Sequence, residues 1–540
     1  MRLIAAPANA VWLGLAKLDM STSSLTAAAL ARALEAFLLD APHAVLIENG
    51  DVLFDFSNAR YSVSGEGKCV LHVWSEERNI VRRVLDFETR SRILRLSALR
   101  FGQSKPEILE VMSDAGQRTP TALRAARAQY QKLLVRLLER EYPGGKIESV
   151  SAKADLEHSF SPVYTRAVVR HGQSAFAVLG VNGDETQASI DAALTFGILW
   201  LDYQRQRADR YHIEGLKLFV PHGRGEIVSQ RMAHLDQNTV KWQLYQVGER
   251  AESCDELDFR DHGNLATRLV RAVDPHATRE RFTASIARIH ELVPYADVSI
   301  ESATEIVFRL YGLEFARARL APIAGSFRNR ETIVFGMGPA EYTLDDANHE
   351  LFNTFVERLT ASRHPAGGHG DPLYRLCPER WLESLVTRDV RSIDERLDPR
   401  HVYSQVPAFT ASDRAMLDVL SVTIDGRLAI LELKADDDIH LVLQGLDYWA
   451  RVRWHQQNGG FARNGYFPGC ELSDAAPLLY LVTPVLRTHP ATSVLLKYLS
   501  PEIEWQLVQL DEHWRAGVRV VNRKRARAFQ PRMNADFADS

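Results

Sequence analysis

Cysteine is scarce in this sequence of 540 residues. The four cysteines are far apart and form no Cys-x-x-Cys pair, which argues against a structural zinc site and against a disulfide framework. A reducing, cytoplasmic location fits such cysteines best. The sequence also lacks a His-Glu-x-x-His motif, a glycine-rich phosphate loop and a recognisable nucleophile triad. These absences argue against a small-molecule enzyme of the corresponding classes.

Long hydrophobic runs are missing as well. No window approaches the ~18 consecutive apolar residues of a membrane span, so we expect no membrane partner. The apolar start, residues 1–20, has one leading arginine and an internal proline and asparagine, unlike a secretion signal. The composition, 46% hydrophobic and 25% charged, is typical of folded globular protein. At ~100–200 residues per domain, the length predicts three or four domains.

The spacing of apolar residues divides the chain into several regions. Residues 1–115 combine one helical pattern with short alternating runs and predict a β-rich N-terminal domain. Residues 118–250 and 371–525 both mix helical and strand patterns. Residues 270–365 predict a small α+β module, and residues 526–540 predict a flexible basic tail. The sequence therefore predicts a mixed α/β protein.

Two of these regions contain similar segments. In both, a proline that ends an apolar run is followed 21 residues later by Trp-Gln-Leu; these prolines are Pro221 and Pro484. Upstream, the run Ala177–Val181 matches Ala429–Leu433 at a separation of 252 residues. The matches favour an internal duplication, and the alternative is a chance likeness between two α/β units.

Glu432 and Lys434 stand at the end of an apolar run, residues 428–433, that should form a buried strand. The period of 2 places both side chains on one face of that strand. Charges near a sheet core are costly unless they are paired or bind a metal. The pattern therefore predicts either a metal site or a buried ion-pair cluster.

The preceding strand pattern, residues 416–424, carries one acid, Asp418. Asp418, Glu432 and the carbonyl of Leu433 offer the oxygen ligands that Mg²⁺, or Mn²⁺ in its place, prefers. We expect Lys434 to orient a metal-bound water for attack on phosphorus, or to help deprotonate that water.

The turn between these strands sets a condition on the metal site. A two-residue turn at Asp425-Gly426 would place Asp418 on the face opposite Glu432. A three-residue loop, or a bulge, would bring both acids to one face. The metal-site hypothesis requires the second arrangement.

Further polar residues accompany the pair of strands. Gln444 and Tyr448, four residues apart on the next predicted helix, form a polar edge with Arg451 that suits phosphate and base contacts. Glu383, on an upstream amphipathic helix, is a candidate for a further metal ligand, and the alternative is a surface carboxylate.

Basic residues concentrate near the end of the sequence. Residues 515–532 hold seven Arg or Lys and no acid. Such a run is typical of a solvated tail, and the alternative is phosphate contact by Arg523, Lys524, Arg525 and Arg527.

The ordered set of candidate residues resembles the PD-(D/E)XK nuclease superfamily, in particular the RecB-type branch with a Gln-x-x-x-Tyr motif. The set consists of Glu383, Asp418, Glu432, Lys434, Gln444 and Tyr448. The resemblance covers residues 371–525, and Leu417 departs from it by standing where a proline is usual.

This resemblance implies a restriction-endonuclease-like fold, a mixed sheet flanked by helices. It also implies magnesium-dependent hydrolysis of nucleic-acid phosphodiesters, with DNA as the expected substrate. Asp418 and Glu432 would be the metal ligands and Lys434 the catalytic lysine. Gln444 and Tyr448 would belong to the helix motif.

The similar region, residues 118–250, lacks these groups. At the separation of 252 residues, Gly180 replaces Glu432 and Asn182 replaces Lys434. The other replacements are Arg166 for Asp418, Ala192 for Gln444 and Phe196 for Tyr448. We therefore expect either a degenerate nuclease-like core kept for DNA binding or packing, or an unrelated α/β domain. For the whole protein, the rival hypothesis is a non-catalytic nucleic-acid-binding or scaffold protein with a buried Asp/Glu/Lys cluster.

Overall fold

A computed structural model defines the architecture. It describes residues 27–41, 44–48, 51–56, 59–65, 69–74, 79–90, 93–99, 106–112, 120–155, 157–208, 210–261, 267–322, 329–336, 341–409 and 414–526. Every region contains both helices and strands, and the chain is a mixed α/β protein. Within them, no helix is both long enough and apolar enough to cross a bilayer.

The N-terminal region is β-rich. Helix α1 (Ala27–Asp40) packs against an antiparallel seven-stranded sheet of order β2-β1-β7-β6-β5-β4-β3. Its strands are β1 (Val45–Glu48), β2 (Asp51–Asp55), β3 (Arg60–Ser64), β4 (Cys69–Trp74), β5 (Asn79–Arg90), β6 (Ile93–Leu99) and β7 (Glu107–Met112). The β-rich character that alternation predicts for this region is confirmed.

Residues 120–257 form the first α/β unit. Its sheet has the order β13-β12-β11-β10-β9-β8, and only the β10–β11 and β11–β12 pairs are parallel. Its strands are β8 (Lys146–Ser151), β9 (Tyr164–His171), β10 (Ser174–Val181), β11 (His212–Pro221), β12 (Lys241–Gly248) and β13 (Ser253–Leu257). Its helices are α2 (Pro120–Glu141), α3 (Gln187–Asp191), α4 (Ala193–Arg207) and α5 (Glu226–Met232).

The middle region contains an antiparallel five-stranded sheet. Its strands follow chain order: β15 (Asp297–Ser302), β16 (Glu305–Leu310), β17 (Leu313–Pro322), β18 (Asn329–Phe335) and β19 (Tyr342–Thr343). Helices α6 (Pro275–Arg281), α7 (Thr283–Leu292) and α8 (His349–Ser362) flank this sheet in the sequence.

Residues 372–525 form the second α/β unit. Its sheet has the order β14-β20-β21-β22-β23-β24-β25, in which β14 (Arg268–Leu269) comes from the segment before the middle region. The remaining strands are β20 (Leu397–Phe409), β21 (Arg414–Thr423), β22 (Leu428–Leu433), β23 (Leu478–Pro484), β24 (Trp505–Leu510) and β25 (Val520–Arg525). Its helices are α9 (Pro372–Arg375), α10 (Pro378–Arg388), α11 (Leu441–Gln457), α12 (Gly460–Arg463) and α13 (Ala491–Leu496).

The sheets of the two units share one pattern. From β8 to β13, and again from β20 to β25, two antiparallel pairs are followed by two parallel pairs and a final antiparallel pair. A glycine brings one helix close to each sheet. A Cβ atom on Gly197 of α4 would lie 2.8 Å from Leu218, and one on Gly445 of α11 would lie 2.7 Å from Leu481. Helices α4 and α11 therefore pack on corresponding faces.

The two α/β units are joined by one continuous hydrophobic core, which includes side chains from α4, α11 and both sheets. At the junction, the amide of Asp236 donates to the carbonyl of Tyr498 (2.9 Å), and the amide of Ser500 donates to the carbonyl of His234 (3.0 Å). The two segments thus contribute equivalent bonds to each other. They form an isolated antiparallel bridge centred on Leu235 and Leu499.

A buried ion pair also links the units, and it predicts a large stability effect. The guanidinium of Arg231 donates to both carboxylate oxygens of Asp447, at 2.9 and 2.8 Å. Burial lowers the pKa of Arg231, but Asp447 outweighs it and the net pKa is raised. We expect Asp447→Ala to lower the free energy of unfolding by about 3 kcal/mol or more, because it leaves a buried charge unpaired.

Chemical denaturation measures this loss. The matched control is Asp297→Ala, which breaks the bidentate pair with Arg388, whose side chains are 30% and 40% exposed. That change should cost about 1 kcal/mol or less. Equal losses in the two variants would contradict the structural importance of the Arg231–Asp447 pair.

Candidate functional site

The candidate site lies at the end of strand β22. This strand is buried along its whole length, and Glu432 is only 2% exposed. Lys434 follows directly, and its Nζ atom lies 3.2 Å from Oε1 of Glu432. The same Nζ atom lies 3.8 Å from carboxylate oxygens of Glu379 and Asp438. The lysine is therefore surrounded by three acids.

The hairpin between β21 and β22 brings Asp418 to this cluster. Val419 pairs with Leu431, and the amide of Thr423 donates to the carbonyl of Arg427 (2.8 Å). These pairs leave a three-residue loop that ends in Gly426, whose φ of +84° is suited to glycine. The register places Asp418 opposite Glu432, which is the arrangement that the metal-site hypothesis requires.

The side chain of Asp418 also caps the strand pair. Its Oδ2 atom accepts a hydrogen bond from the amide of Leu433 at 2.9 Å. Asp418 is thus held beside the backbone that follows Glu432. The sequence-predicted residues Asp418, Glu432, Leu433 and Lys434 come together in one place.

The two opposed acids resist being ionised together. Burial raises the pKa of Asp418, although the Leu433 amide and the charge of Lys434 oppose the change. Burial and the charge of Asp418 raise the pKa of Glu432 well above its usual range, and Lys434 offsets this only in part. Oε2 of Glu432 is buried and has no hydrogen-bond partner. A further cation at this position would favour ionisation of both acids.

Glu383 is buried rather than on the surface. It projects from α10, is 6% exposed, and accepts hydrogen bonds from Gln405 (2.8 Å) and Arg380 (3.1 Å). Burial raises its pKa, and the charge of Arg380 opposes this while that of Asp418 adds to it. The surface-carboxylate alternative for Glu383 is wrong, and the residue faces the same acid cluster.

Sequence reasoning missed two members of the cluster, Glu379 and Asp438. Glu379 lies one helical turn before Glu383, so both acids project from the same face of α10. Asp438 is the last of three consecutive aspartates, which are separated from Lys434 by a single alanine. The spacing of four on α10 was the available signal for Glu379.

Helix α11 brings its polar residues against the cluster. Burial raises the pKa of Tyr448, and the charges of Glu432 and Asp418 add to this effect. The helix itself packs against β22, the strand that carries Glu432. The amide oxygen of Gln444 is buried and has no hydrogen-bond partner.

Arg451 does not lie on an exposed polar edge. It is 6% exposed, and its guanidinium carbon lies 5.9 Å from the centre of the Tyr448 ring. It lines a small cavity at the junction of the units together with Arg231 and Asp447. This burial corrects the expectation of a surface residue that meets phosphate.

The basic run near the end of the sequence is partly a strand. Residues 523–525 belong to β25, which pairs with β24. Arg523 donates to the carbonyl of Ile393, whereas Lys524 and Arg525 are exposed. These three residues therefore belong to a strand and not to a free tail, although Lys524 and Arg525 are solvated. Arg527 lies outside the described residues.

The first unit has no comparable acids at the corresponding place, but the alignment by 252 residues needs correction. Glu432 pairs with Leu481 on the next strand. The counterpart of Leu481 in the first unit is Leu218, 263 residues earlier, and Leu218 pairs with Leu179. Leu179, and not Gly180, therefore corresponds to Glu432. Gly180 points to the other face, where a Cβ atom would lie 2.7 Å from the hydroxyl of Tyr130. A slip of one residue reverses every side chain of a strand.

The corrected correspondence changes four positions. Leu179 takes the place of Glu432 and Val181 that of Lys434, while Phe196 and Trp200 take those of Gln444 and Tyr448, because Gly197 and Gly445 correspond. Arg166 keeps its place opposite Leu179, as Asp418 lies opposite Glu432. The position is therefore apolar around one buried arginine.

The two opposed carboxylates of the second unit are of the ligand type that a hard divalent cation takes. Asp418 and Glu432 offer carboxylate oxygens, and Oε2 of Glu432 has no hydrogen-bond partner. The Leu433 carbonyl follows Glu432 directly in the chain. Mg²⁺ is commonly bound by one or two carboxylates and keeps several waters. In the described ranges, no group of three or more His, Cys, Asp or Glu side chains is arranged to hold a metal.

No protein-family model matches this sequence, and no curated protein matches it closely enough to count as a relative.

Proposed function

We propose that the second α/β unit is a metal-dependent nuclease that hydrolyses phosphodiester bonds of nucleic acid, with DNA as the substrate. The observation that carries the proposal is the buried, partnerless Oε2 of Glu432, opposite Asp418 and beside Lys434. An isolated buried carboxylate is costly, so a site that maintains two opposed acids suits a cation.

Each residue has a distinct role in this proposal. Asp418, Glu432 and the Leu433 carbonyl would hold Mg²⁺ or Mn²⁺, with Glu383 as a further acid near Asp418. The cation would supply a Lewis acid for the phosphate and a lower pKa for the attacking water. Gln444 and Tyr448 would orient the substrate and the acids from α11.

The state of Lys434 narrows its role. Burial lowers its pKa, but the charges of Glu432, Glu379 and Asp418 outweigh this and raise the pKa above its usual value. In the metal-free protein Lys434 is therefore protonated at neutral pH. As a donor it is suited to orient the water or to stabilise the phosphate charge.

The shared strand pattern supports an internal duplication with a restriction-endonuclease-like core in each unit. In this proposal, the first unit is the degenerate copy, since Leu179, Val181 and Arg166 replace the acids and the lysine. The contact near Asp236 and Ser500 would then be the junction of two related halves. The reducing cytoplasm, where the four free cysteines would stay reduced, is the proposed location.

A cleavage assay tests the proposal against the rival, a non-catalytic scaffold with a buried ion cluster. The purified protein is incubated with single- and double-stranded DNA and RNA in Mg²⁺, Mn²⁺ or EDTA, and thermal melts are recorded in parallel. We expect cleavage only with a divalent cation, together with a higher melting temperature, because the cation binds the folded state. If neither cation supports cleavage and neither raises the melting temperature, the nuclease proposal is refuted and the scaffold hypothesis is favoured.

A further inference from the structure

A cleft in the first unit has a chemistry that the nuclease site does not use. It lies between the first turns of α2 and the end of the edge strand β8, and is lined in part by Arg124, Arg127, Gln131, Lys153 and Pro162. Its volume of about 320 Å³ is in the range of small-ligand sites. The cleft can therefore accommodate a group of the size of a phosphodiester.

The cleft is strongly cationic. Arg127 pairs with Glu185 at 2.6 Å. Arg124 and Lys153 are exposed and form no ion pair with any residue that the structure describes. Two positive charges at the mouth of one concave surface thus lack a negative partner, and such a surface attracts anions.

A further basic residue, Arg166, is buried behind this surface. Arg166 is 4% exposed, donates from Nη2 to the carbonyl of Lys153, and stacks over the ring of Phe160 at 4.6 Å. Its Nε and Nη1 atoms are buried without a hydrogen-bond partner. Burial lowers its pKa, which the charge of Asp155 opposes in part. Buried polar groups normally have a hydrogen-bond partner, so these two donors of Arg166 are unusual in having none.

We infer that this cleft binds the phosphate groups of a nucleic-acid backbone through Arg124 and Lys153, with Arg166 adding positive charge from behind. Phosphate supplies the acceptors and the negative charge that the cleft lacks. The first unit would thereby hold the strand that the second unit hydrolyses. The choice of nucleic acid as the anion rests on the proposed function, but the cleft itself does not depend on catalysis.

The test is a binding measurement that excludes cleavage. A fluorescently labelled DNA duplex is titrated with the full chain in EDTA at several salt concentrations. The variant is Arg124→Gln with Lys153→Gln, and the matched control is Lys132→Gln with Arg140→Gln, which removes the same charge from exposed positions of α2 outside the cleft. Circular dichroism verifies that each variant is folded.

We expect the cleft variant to bind about 10-fold or more weakly and its salt slope to fall by nearly 2, since each phosphate contact contributes about 0.9. The control should retain the parental slope. Equal binding by the two variants, or no binding by the parent, would overturn the inference. If the protein cleaves DNA with Mg²⁺ but the cleft variant binds DNA as tightly as the parent, only this inference is refuted. Cleft-dependent binding without cleavage would remove the nuclease proposal alone.

Discussion

Lys434→Ala should reduce cleavage by about 10²-fold or more while metal binding persists. The loss is of the size expected for a positioned group that acts in the transition state. Both metal-binding acids stay in place, so Mg²⁺ should still raise the melting temperature of the variant. Cleavage rates and thermal melts with and without Mg²⁺ measure the two effects.

The control for this variant is Lys241→Ala. Lys241 also pairs with a glutamate, Glu214, at 2.7 Å, but at the exposed surface of the first unit. Its removal should leave cleavage unchanged. In the scaffold hypothesis, Lys434→Ala instead lowers the free energy of unfolding by ~3–5 kcal/mol, because it leaves buried carboxylates unpaired, and Mg²⁺ restores nothing. That outcome would refute the nuclease proposal.

Glu432→Gln should abolish cleavage and yet stabilise the metal-free protein at neutral and alkaline pH. The folded-state pKa of Glu432 is raised above its value in the unfolded chain, which is about 4.3. Its contribution to stability is fully present below the unfolded value and is lost as pH rises through the folded value. Glutamine cannot ionise, so the variant avoids that loss but is a poor ligand for a hard cation.

Melting curves from pH 4 to pH 8 in EDTA examine this reversal. Parent and variant should melt at similar temperatures near pH 4, and the variant should melt higher near pH 8. Added Mg²⁺ should stabilise only the parent. Glu214→Gln is a control of opposite sign, because a hydrogen bond from Lys241 lowers the pKa of Glu214. A lower melting temperature for Glu432→Gln at pH 8 would contradict the predicted cost of this buried charge.

The local parts of the candidate site follow from the sequence. The apolar run before Glu432 forms β22, and the polar positions Gln444 and Tyr448 lie on α11 as their spacing predicts. The face of Asp418 could not be derived from alternation, because it depends on whether the hairpin loop has two or three residues. The sequence shows that the loop length matters, but the length itself is known only from the pairing of the two strands in the structure.

The sequence-based predictions are wrong where contacts between distant parts of the chain determine the structure. The burial of Arg451 depends on the junction between the units, and no local pattern in α11 encodes it. The match of Gly180 to Glu432 fails by one residue, since similar apolar runs can be aligned in either parity. Segment 268–269 joins the sheet of the second unit from a distant part of the chain, which no local pattern reveals.

The continuous core between the two α/β units has a consequence for dilution. Separate subunits in a twofold pair dissociate as their concentration falls. Here the partner of each half is part of the same chain, so its effective concentration is fixed by the connecting segment and not by the amount of protein. Each chain carries one acid-bearing half and one apolar half, and their ratio cannot vary. The contact between the two units should therefore not weaken as the protein is diluted.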